Sequence, residues 1–419
     1  MLSNEITVSL FAQENPMNYY QLLMPLVEEI LPEIVNVRHT IHRNPELALQ
    51  EYDTAALIRR TLDPTGLQLY EPFLKTDVVA MLEGMENGGN VTLRADMDAL
   101  PLQEMNDLPY RSARDGVMHA CGHDGHTAVL LGTALVLSRL KNTFKGSVRF
   151  VFQPGEEMVA AGRDLVAQGI LRDPEPQAVF TLHALSDIPV GSIASRSGVI
   201  MAAADFFKIV IHGKGAHGSM PETSIDPVLT GARIVEALQA VASRNINPLD
   251  AVVVSVCRFS GGTNGNIIPD NVELEGTTRY LNEETGRWIP MHMERIIKGV
   301  CDSMGASYEF SYNTPYIPTI NNPKMVAMGA EVTRELLGAG EWAEIEAPSL
   351  GGEDFSYYIK DYPGAMFRLG MGEEYPGLHN PYFDFNDKAL RNGILFMSAI
   401  ALKALSEGCF YSNGLNQQA

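Results

Sequence analysis

The segment His119-Ala-Cys-Gly-His-Asp-Gly-His126 places three imidazoles, a thiol and a carboxylate within eight residues. The chain holds ten histidines and four cysteines in 419 residues, so such a density is far from a chance draw. Cys121 and His123 are separated by one residue and can be aimed at a single centre by a tight turn. Gly122 and Gly125 permit backbone angles that a β-carbon forbids. Elsewhere the chain offers Asp96-Met-Asp98, the adjacent pair Glu156-Glu157, and the isolated His183 and His379. Thiolate, imidazole and carboxylate together form a borderline-soft donor set, suited to zinc, manganese or cobalt rather than magnesium or calcium. Five protein ligands are more than one catalytic zinc takes. Two ions ~3.5–4 Å apart with a bridging hydroxide use them comfortably, lower the pKa of the water to ~7 and activate a scissile carbonyl. In a Glu-Glu pair one carboxylate can hold metal while its neighbour faces the water. The bland alternatives are a buried thiol beside solvated histidines and a solvated acidic pair. Their setting argues against both.

That setting is a series of strands ending in polar loops. Val91 to Ala95 delivers Asp96 and Asp98, Gly146 to Phe152 delivers Gln153-Pro-Gly-Glu156-Glu157, and Ala178 to Leu182 delivers His183. The apolar run Thr127 to Leu140 reads as a buried helix following the histidine cluster. Tyr19 to Arg43 has apolar residues at three- and four-residue spacing, an amphipathic helical region that Pro25 and Pro32 should break. Strands alternating with helices are the α/β pattern, with ligands at the carboxyl edge of the sheet. The texture changes near Ala202. Residues 203–315 read as strand, loop, helix, two strands, helix and strand, a self-contained α+β unit of ordinary domain size. The expected architecture is a mixed-sheet α/β catalytic domain with helices on both faces, formed by residues 1–202 and 316–419. A smaller α+β domain, 203–315, is inserted into it.

Composition bounds the class. Apolar residues make up 45% and charged residues 20%, as in a globular protein, and the length favours two domains. A formal net charge of −20 argues against nucleic acid or anionic membrane as partner. The cysteines at 121, 257, 301 and 409 show no paired spacing, which fits a reducing compartment. Met1 to Met17 lacks the pattern of a secretory leader, and no apolar run approaches ~20 residues. A cytoplasmic location is expected.

Asp-Met-Asp-Ala-Leu-Pro, His-Ala-Cys-Gly-His-Asp-Gly-His, Gln-Pro-Gly-Glu-Glu, Gly-Gly-Glu-Asp-Phe-Ser and Leu-His-Asn-Pro occur in that order. From about residue 30 onward the chain resembles the aminoacylase and hippurate-hydrolase family of two-metal amidohydrolases, which includes auxin-conjugate hydrolases. The resemblance implies Cys121, His123, Glu157, His183 and His379 as metal ligands. It implies Glu156 as the general base that moves a proton from the attacking water to the leaving amine, and Asp98 as a group orienting a ligand imidazole. It further implies two divalent ions per subunit, manganese or zinc, with cobalt or nickel as alternatives. The inserted domain would serve as lid and homodimer contact, with His217 and Asn266 binding substrate and His217 reaching the neighbouring subunit. Gly218 and Ser219 follow His217 where the family more often has two alanines, and Glu222 follows Pro221 where it has a histidine. His119, His126, Glu353 and Asp354 are expected to support the site, and His39, His42, His212 and His292 to be structural. The implied reaction is hydrolysis of the amide of N-acyl amino acids or related small conjugates. A dipeptidase or aminopeptidase with the same centre is the alternative. A cysteine hydrolase built on Cys121 would leave Glu156, Glu157, His183 and His379 without a task. A binding protein with a dead site would usually have lost the base.

Overall fold

The computed structural model describes residues 19–408; the stretch read for a leader and Cys409 lie outside them. Eight strands form a mixed sheet in the order Gln68–Leu69, Val78–Glu83, Ser147–Gln153, Asn90–Asp96, Pro176–Leu185, Gly364–Gly370, Ile193–Ser195, Trp342–Glu344. The four from Ser147–Gln153 to Gly364–Gly370 are mutually parallel, so their carboxyl ends share one edge. Every residue of Ser147–Gln153, Asn90–Asp96 and Gly364–Gly370 is buried, as parallel strands covered on both faces require.

One face carries the long helices Tyr19–Arg43, His123–Arg139, Pro323–Leu336 and Asp387–Glu407, packed on Phe150, Phe152, Phe180 and Phe367. Tyr19–Arg43 runs unbroken through Pro25 and Pro32. Each proline removes one intrahelical donor, but a buried seam of Leu23, Val27, Ile30, Ile34, Val37 and Ile41 holds the axis against the core. Asp387–Glu407 has the length and hydropathy to cross a membrane, yet 78% of its apolar window is buried within the protein. It is the central helix of this layer.

The opposite face packs Val79, Val151, Val179 and Met366 under the short helices Ala161–Ala167 and Ser356–Ile359. Side chains two residues apart on a strand share a face. Stepping toward the carboxyl edge, this face therefore turns from apolar to polar: Val151 to Gln153, Val179 through Thr181 to His183, Met366 to Arg368. Arg94 and Asp96 stand between them on the neighbouring strand.

Residues 203–316 form a second, wholly antiparallel sheet ordered Val252–Gly261, Asn271–Tyr280, Ala203–His212, Ser307–Tyr316. Helices Pro227–Ala240 and Glu283–Met304 cover one face, meeting Phe207, Ile209, Ile211, Val272 and Leu274 in a separate core. The last strand does not stop at Pro315. It continues with an irregular register after Asn313 to Tyr316, whose side chain reaches back into the larger unit.

Candidate metal centre

Two glycine turns shape the site. Gly122, at φ +88°, starts the helix His123–Arg139 inside the histidine cluster, four residues before the start suggested by the apolar run. Gly155, at φ +61°, starts the short helix Glu156–Val159. The paired glutamates thus occupy the first turn of a helix instead of an extended strand end, and consecutive side chains diverge by about 100°. Asp98 clamps this turn. Its Oδ1 accepts the Glu156 N–H at 3.0 Å and its Oδ2 the Glu157 N–H at 3.1 Å. The Asp98 backbone oxygen lies 2.9 Å from His123 Nδ1, and its Oδ1 lies 3.3 Å from the same nitrogen. With Nδ1 so engaged, His123 Nε2 faces the site, buried and without a hydrogen-bond partner.

Around that nitrogen the donors gather. Single donor atoms of Cys121, His123 and Glu157 lie within 4.8 Å of one another. Cys121 Sγ is 3.6 Å from His183 Nε2, and Glu157 Oε1 is 3.0 Å from His379 Nε2. Cys121, His123, Glu157, His183 and His379 therefore converge from separated stretches of chain. His379 stands in left-handed backbone at φ +61°, uncommon for a side chain with a β-carbon. Its N–H donates to the Ala120 oxygen at 2.8 Å, tying it to the cysteine loop.

The electrostatics favour a cation. Burial raises the Cys121 thiol well above its usual range, and Glu157, Glu156 and Asp96 push it the same way. A thiolate here needs a positive charge beside it. At His123 burial opposes protonation, but Asp96, Asp98 and Glu157 outweigh it and push the imidazole up to about 10. Glu157 is held below the ordinary carboxylate range despite burial by His379 and His123. Surplus negative charge, an orphaned imidazole nitrogen and a buried thiol are what divalent ions of the zinc or manganese type would satisfy.

His126 is near enough to join such a group, with Asp96, His123 and His183. Its nitrogens are already used: Nδ1 lies 2.6 Å from Asp96 Oδ1, and Nε2 accepts the Ala184 N–H at 2.7 Å. It props the strand end that presents His183. Glu156 points instead toward Glu353 and Asp354. Burial holds it well above the usual range, reinforced by Glu353, Glu157 and Asp354. Beneath them Arg94, fully buried, meets Asp96 and Asp354 at 2.7 Å and Glu353 at 3.2 Å. His119 is buried with neither ring nitrogen partnered, and burial pushes it down to about 3. His42 sits between Asp124 and Glu104, and His39 stacks on Tyr110 at 3.6 Å, both in a network behind the site.

His217 and Asn266 lie together in the smaller unit, where Ala216–His217 pairs with Ile267–Ile268 and the Gly218 N–H donates to the Asn266 oxygen at 2.8 Å. His217 is exposed. Its Nδ1 accepts the Ser219 N–H at 3.1 Å and lies 2.8 Å from Ser219 Oγ, which turns Nε2 outward. Ser219, a departure from the family pattern, thus orients the imidazole. Among the described residues no hydrogen bond or ion pair joins His217 or Asn266 to the ligand cluster. Sequence reasoning passed over Arg94, Arg368 and Tyr316. The Tyr316 hydroxyl donates to the Glu156 backbone oxygen at 2.7 Å. The arginines carried a signal: each is a positive charge inside a wholly buried strand.

Comparison with known proteins places this geometry. The description "Peptidase family M20/M25/M40" matches residues 92–403. An N-acetylcysteine deacetylase of Bacillus subtilis is 40% identical over 375 residues, 89% of this chain and 97% of its own length. An N-acyl-L-amino acid amidohydrolase of Geobacillus stearothermophilus is 44% identical over 297 residues, 71% of this chain and 80% of its own. The solved structure of Bacillus subtilis YXEP, described as a dinuclear metal-binding peptidase from the M20 family, superposes with a TM-score of 0.79 at 35% identity. It covers 90% of this chain and 99% of its own. With a family match over most of its length and relatives this similar, the chain is a hydrolase belonging to peptidase family M20/M25/M40.

Proposed function

We propose that this protein is a metal-dependent amidohydrolase that releases the acyl group from N-acyl amino acids. The observation that carries the proposal is the convergence of Cys121, His123, Glu157, His183 and His379 beside a separately directed Glu156. Relatives named for N-acyl amino acid substrates support the substrate class. The five converging residues would hold two divalent ions, manganese or zinc. When bound, such a pair would polarise the scissile carbonyl and lower the pKa of a water. Glu156 is the base. Its carboxylate takes a proton from the attacking water and delivers it to the leaving nitrogen, and a carboxyl held above its usual range is suited to both halves of that transfer. Asp98 keeps Glu156 and Glu157 in register through their amides and fixes the His123 tautomer that leaves Nε2 free. His126 holds Ala184, and so His183, in place.

Residues 203–315 act as the lid and as the contact of a homodimer, bringing His217 and Asn266 to the substrate of the neighbouring subunit. The outward Nε2 of His217 supports this role: with Nδ1 accepting from Ser219, the neutral ring presents an N–H donor. A peptidase reading is favoured by one observation, the description of the superposing Bacillus subtilis structure. The test covers both. Purified protein is stripped with a chelator, reloaded separately with manganese and zinc, and assayed on a panel of N-acyl amino acids and dipeptides. Chelation should abolish turnover, metal should restore it, and N-acyl amino acids should be cleaved with the higher kcat/KM. Activity that survives chelation, or a panel in which only dipeptides are cleaved, refutes the proposal.

A further inference from the structure

Two arginines stand on the polar end of the same sheet face, and their surroundings differ. Arg94 spends its donors on Asp96, Glu353, Asp354 and Gln153, all within 3.2 Å. Arg368 lies two strands away, where its Cα is the register partner of His183 in the adjoining parallel strand. Register partners in neighbouring strands, ~4.8 Å apart, project to the same face, so Arg368 stands beside a residue of the ligand cluster. It is 5% exposed. The one hydrogen bond of its side chain among the described residues runs from Nη2 to the sulfur of Met201, at 2.7 Å. A thioether is a weak acceptor. No carboxylate comes within ion-pair distance of it among the described residues, although Glu353, Cys121, Asp96 and Glu156 are near enough to act on its charge. Among the described residues the remaining donors have no partner, and they are not sealed from solvent.

A nearly buried guanidinium without an oxygen acceptor is a costly arrangement unless something arrives to satisfy it. Its flat fork matches a carboxylate with two parallel hydrogen bonds. Met201 belongs to the strand Gly198–Met201 that leads into the smaller unit, so the guanidinium lies at the floor between ligand cluster and lid. We infer that Arg368 binds the α-carboxylate of the substrate and makes the site selective for N-acyl amino acids with a free carboxyl group. This rests on the amidohydrolase reading and deepens it. In such a substrate the carboxyl carbon is two bonds from the scissile nitrogen, so a group bound beside the ligand cluster fixes the amide over Glu156. A substrate amidated at that carboxyl would offer one acceptor and no charge, and would leave the guanidinium unsatisfied.

The experiment compares N-acetyl-L-alanine with N-acetyl-L-alaninamide on the metal-loaded wild type, Arg368→Met and Arg368→Lys. Metal content and melting temperature are recorded for each. Binding of both compounds is measured by calorimetry in the Glu156→Gln background as well as by turnover. Wild type should favour the free acid by about 10²–10³-fold, the scale of a buried charge pair that loses one partner. In Arg368→Met that ratio should fall to within about threefold of unity while the metal is retained, and Arg368→Lys should lie between. An unchanged ratio in Arg368→Met overturns the assignment. So does an equal loss for acid and amide accompanied by loss of metal, because the residue is then a structural counter-charge; Arg368→Lys decides the matter if the methionine variant fails to fold. If wild type cleaves neither compound, the amidohydrolase reading falls, but selective acid binding that Arg368→Met abolishes still upholds the carboxylate site. Binding without selectivity refutes it.

Discussion

Glu156 and Glu157 share a turn and a backbone clamp, so converting each to glutamine separates their roles with little change of shape. Glu156 lies with Glu353 and Asp354, outside the ligand cluster, and its carboxyl is held above the usual range by burial and those acids. Neutralising it removes the proposed proton acceptor but none of the converging donors. Turnover should fall ~10²–10⁴-fold, or about 2.7–5.4 kcal/mol of barrier. Metal content should stay at the wild-type level, and thermal stability should hold or rise because a buried like-charge contact is relieved. Glu157 is different. Its Oε1 lies 3.0 Å from His379 Nε2 and 3.9 Å from His123 Nε2, between the two imidazoles, while Asp96 Oδ1 lies 3.7 Å from the same His123 nitrogen. Glu157→Gln replaces that anionic oxygen with a weaker neutral donor. Metal affinity should drop by more than the ~10–100-fold typical of a residue one step removed from the ion. The assay is metal per subunit by mass spectrometry after dialysis, alongside initial rates on an N-acyl amino acid. If Glu156→Gln loses metal while Glu157→Gln keeps it, the assignment is reversed. If both retain near-wild-type rates, the pair has no part in the reaction.

Two further outcomes follow from the smaller unit. Asp205 is buried beneath the Tyr312 hydroxyl at 2.8 Å, and burial pushes it from an ordinary 3.8 to about 6, against the hydrogen bonds from Tyr312 and Tyr280 and the charge of Arg279. A carboxyl raised on folding adds stability that is complete below its unfolded pKa and lost as pH rises through its folded value. The melting temperature of Asp205→Asn relative to wild type should therefore increase from about pH 4 to about pH 7; a difference that stays flat would show that Asp205 does not titrate there. For the proposed dimer, His217→Ala and Glu156→Gln subunits, each expected to be inactive alone, should regain part of the activity after exchange, since a heterodimer would contain one intact composite site. Verified heterodimers that regain nothing would confine His217 to its own subunit.

Much of the site could be read from the chain because several of its loops follow apolar strands. Asp98, Glu156-Glu157 and His183 sit just past or at the end of such runs, and parallel strands bring those ends to one edge. The cysteine–histidine loop needed no topology, since its donors are already adjacent. What escaped depended on backbone conformation or on partners far away in sequence. The start of the helix at His123 is set by the left-handed Gly122, and periodicity in the apolar run beyond cannot locate it. Pro25 and Pro32, both exposed, look like breaks until the buried seam on the other side of the helix, with Ile30 and Ile34, is counted against one lost donor each. Tyr316 lies just past a proline that suggested a boundary, and only the folded chain shows its hydroxyl on the Glu156 backbone. Arg94 and Arg368 are the instructive pair. A charge near the end of a buried strand must meet either a counter-charge or a ligand, and no local pattern distinguishes Thr-Leu-Arg-Ala-Asp from Met-Phe-Arg-Leu-Gly on that point. The fold separates them: it closes three carboxylates around Arg94, and leaves Arg368 to be completed from outside.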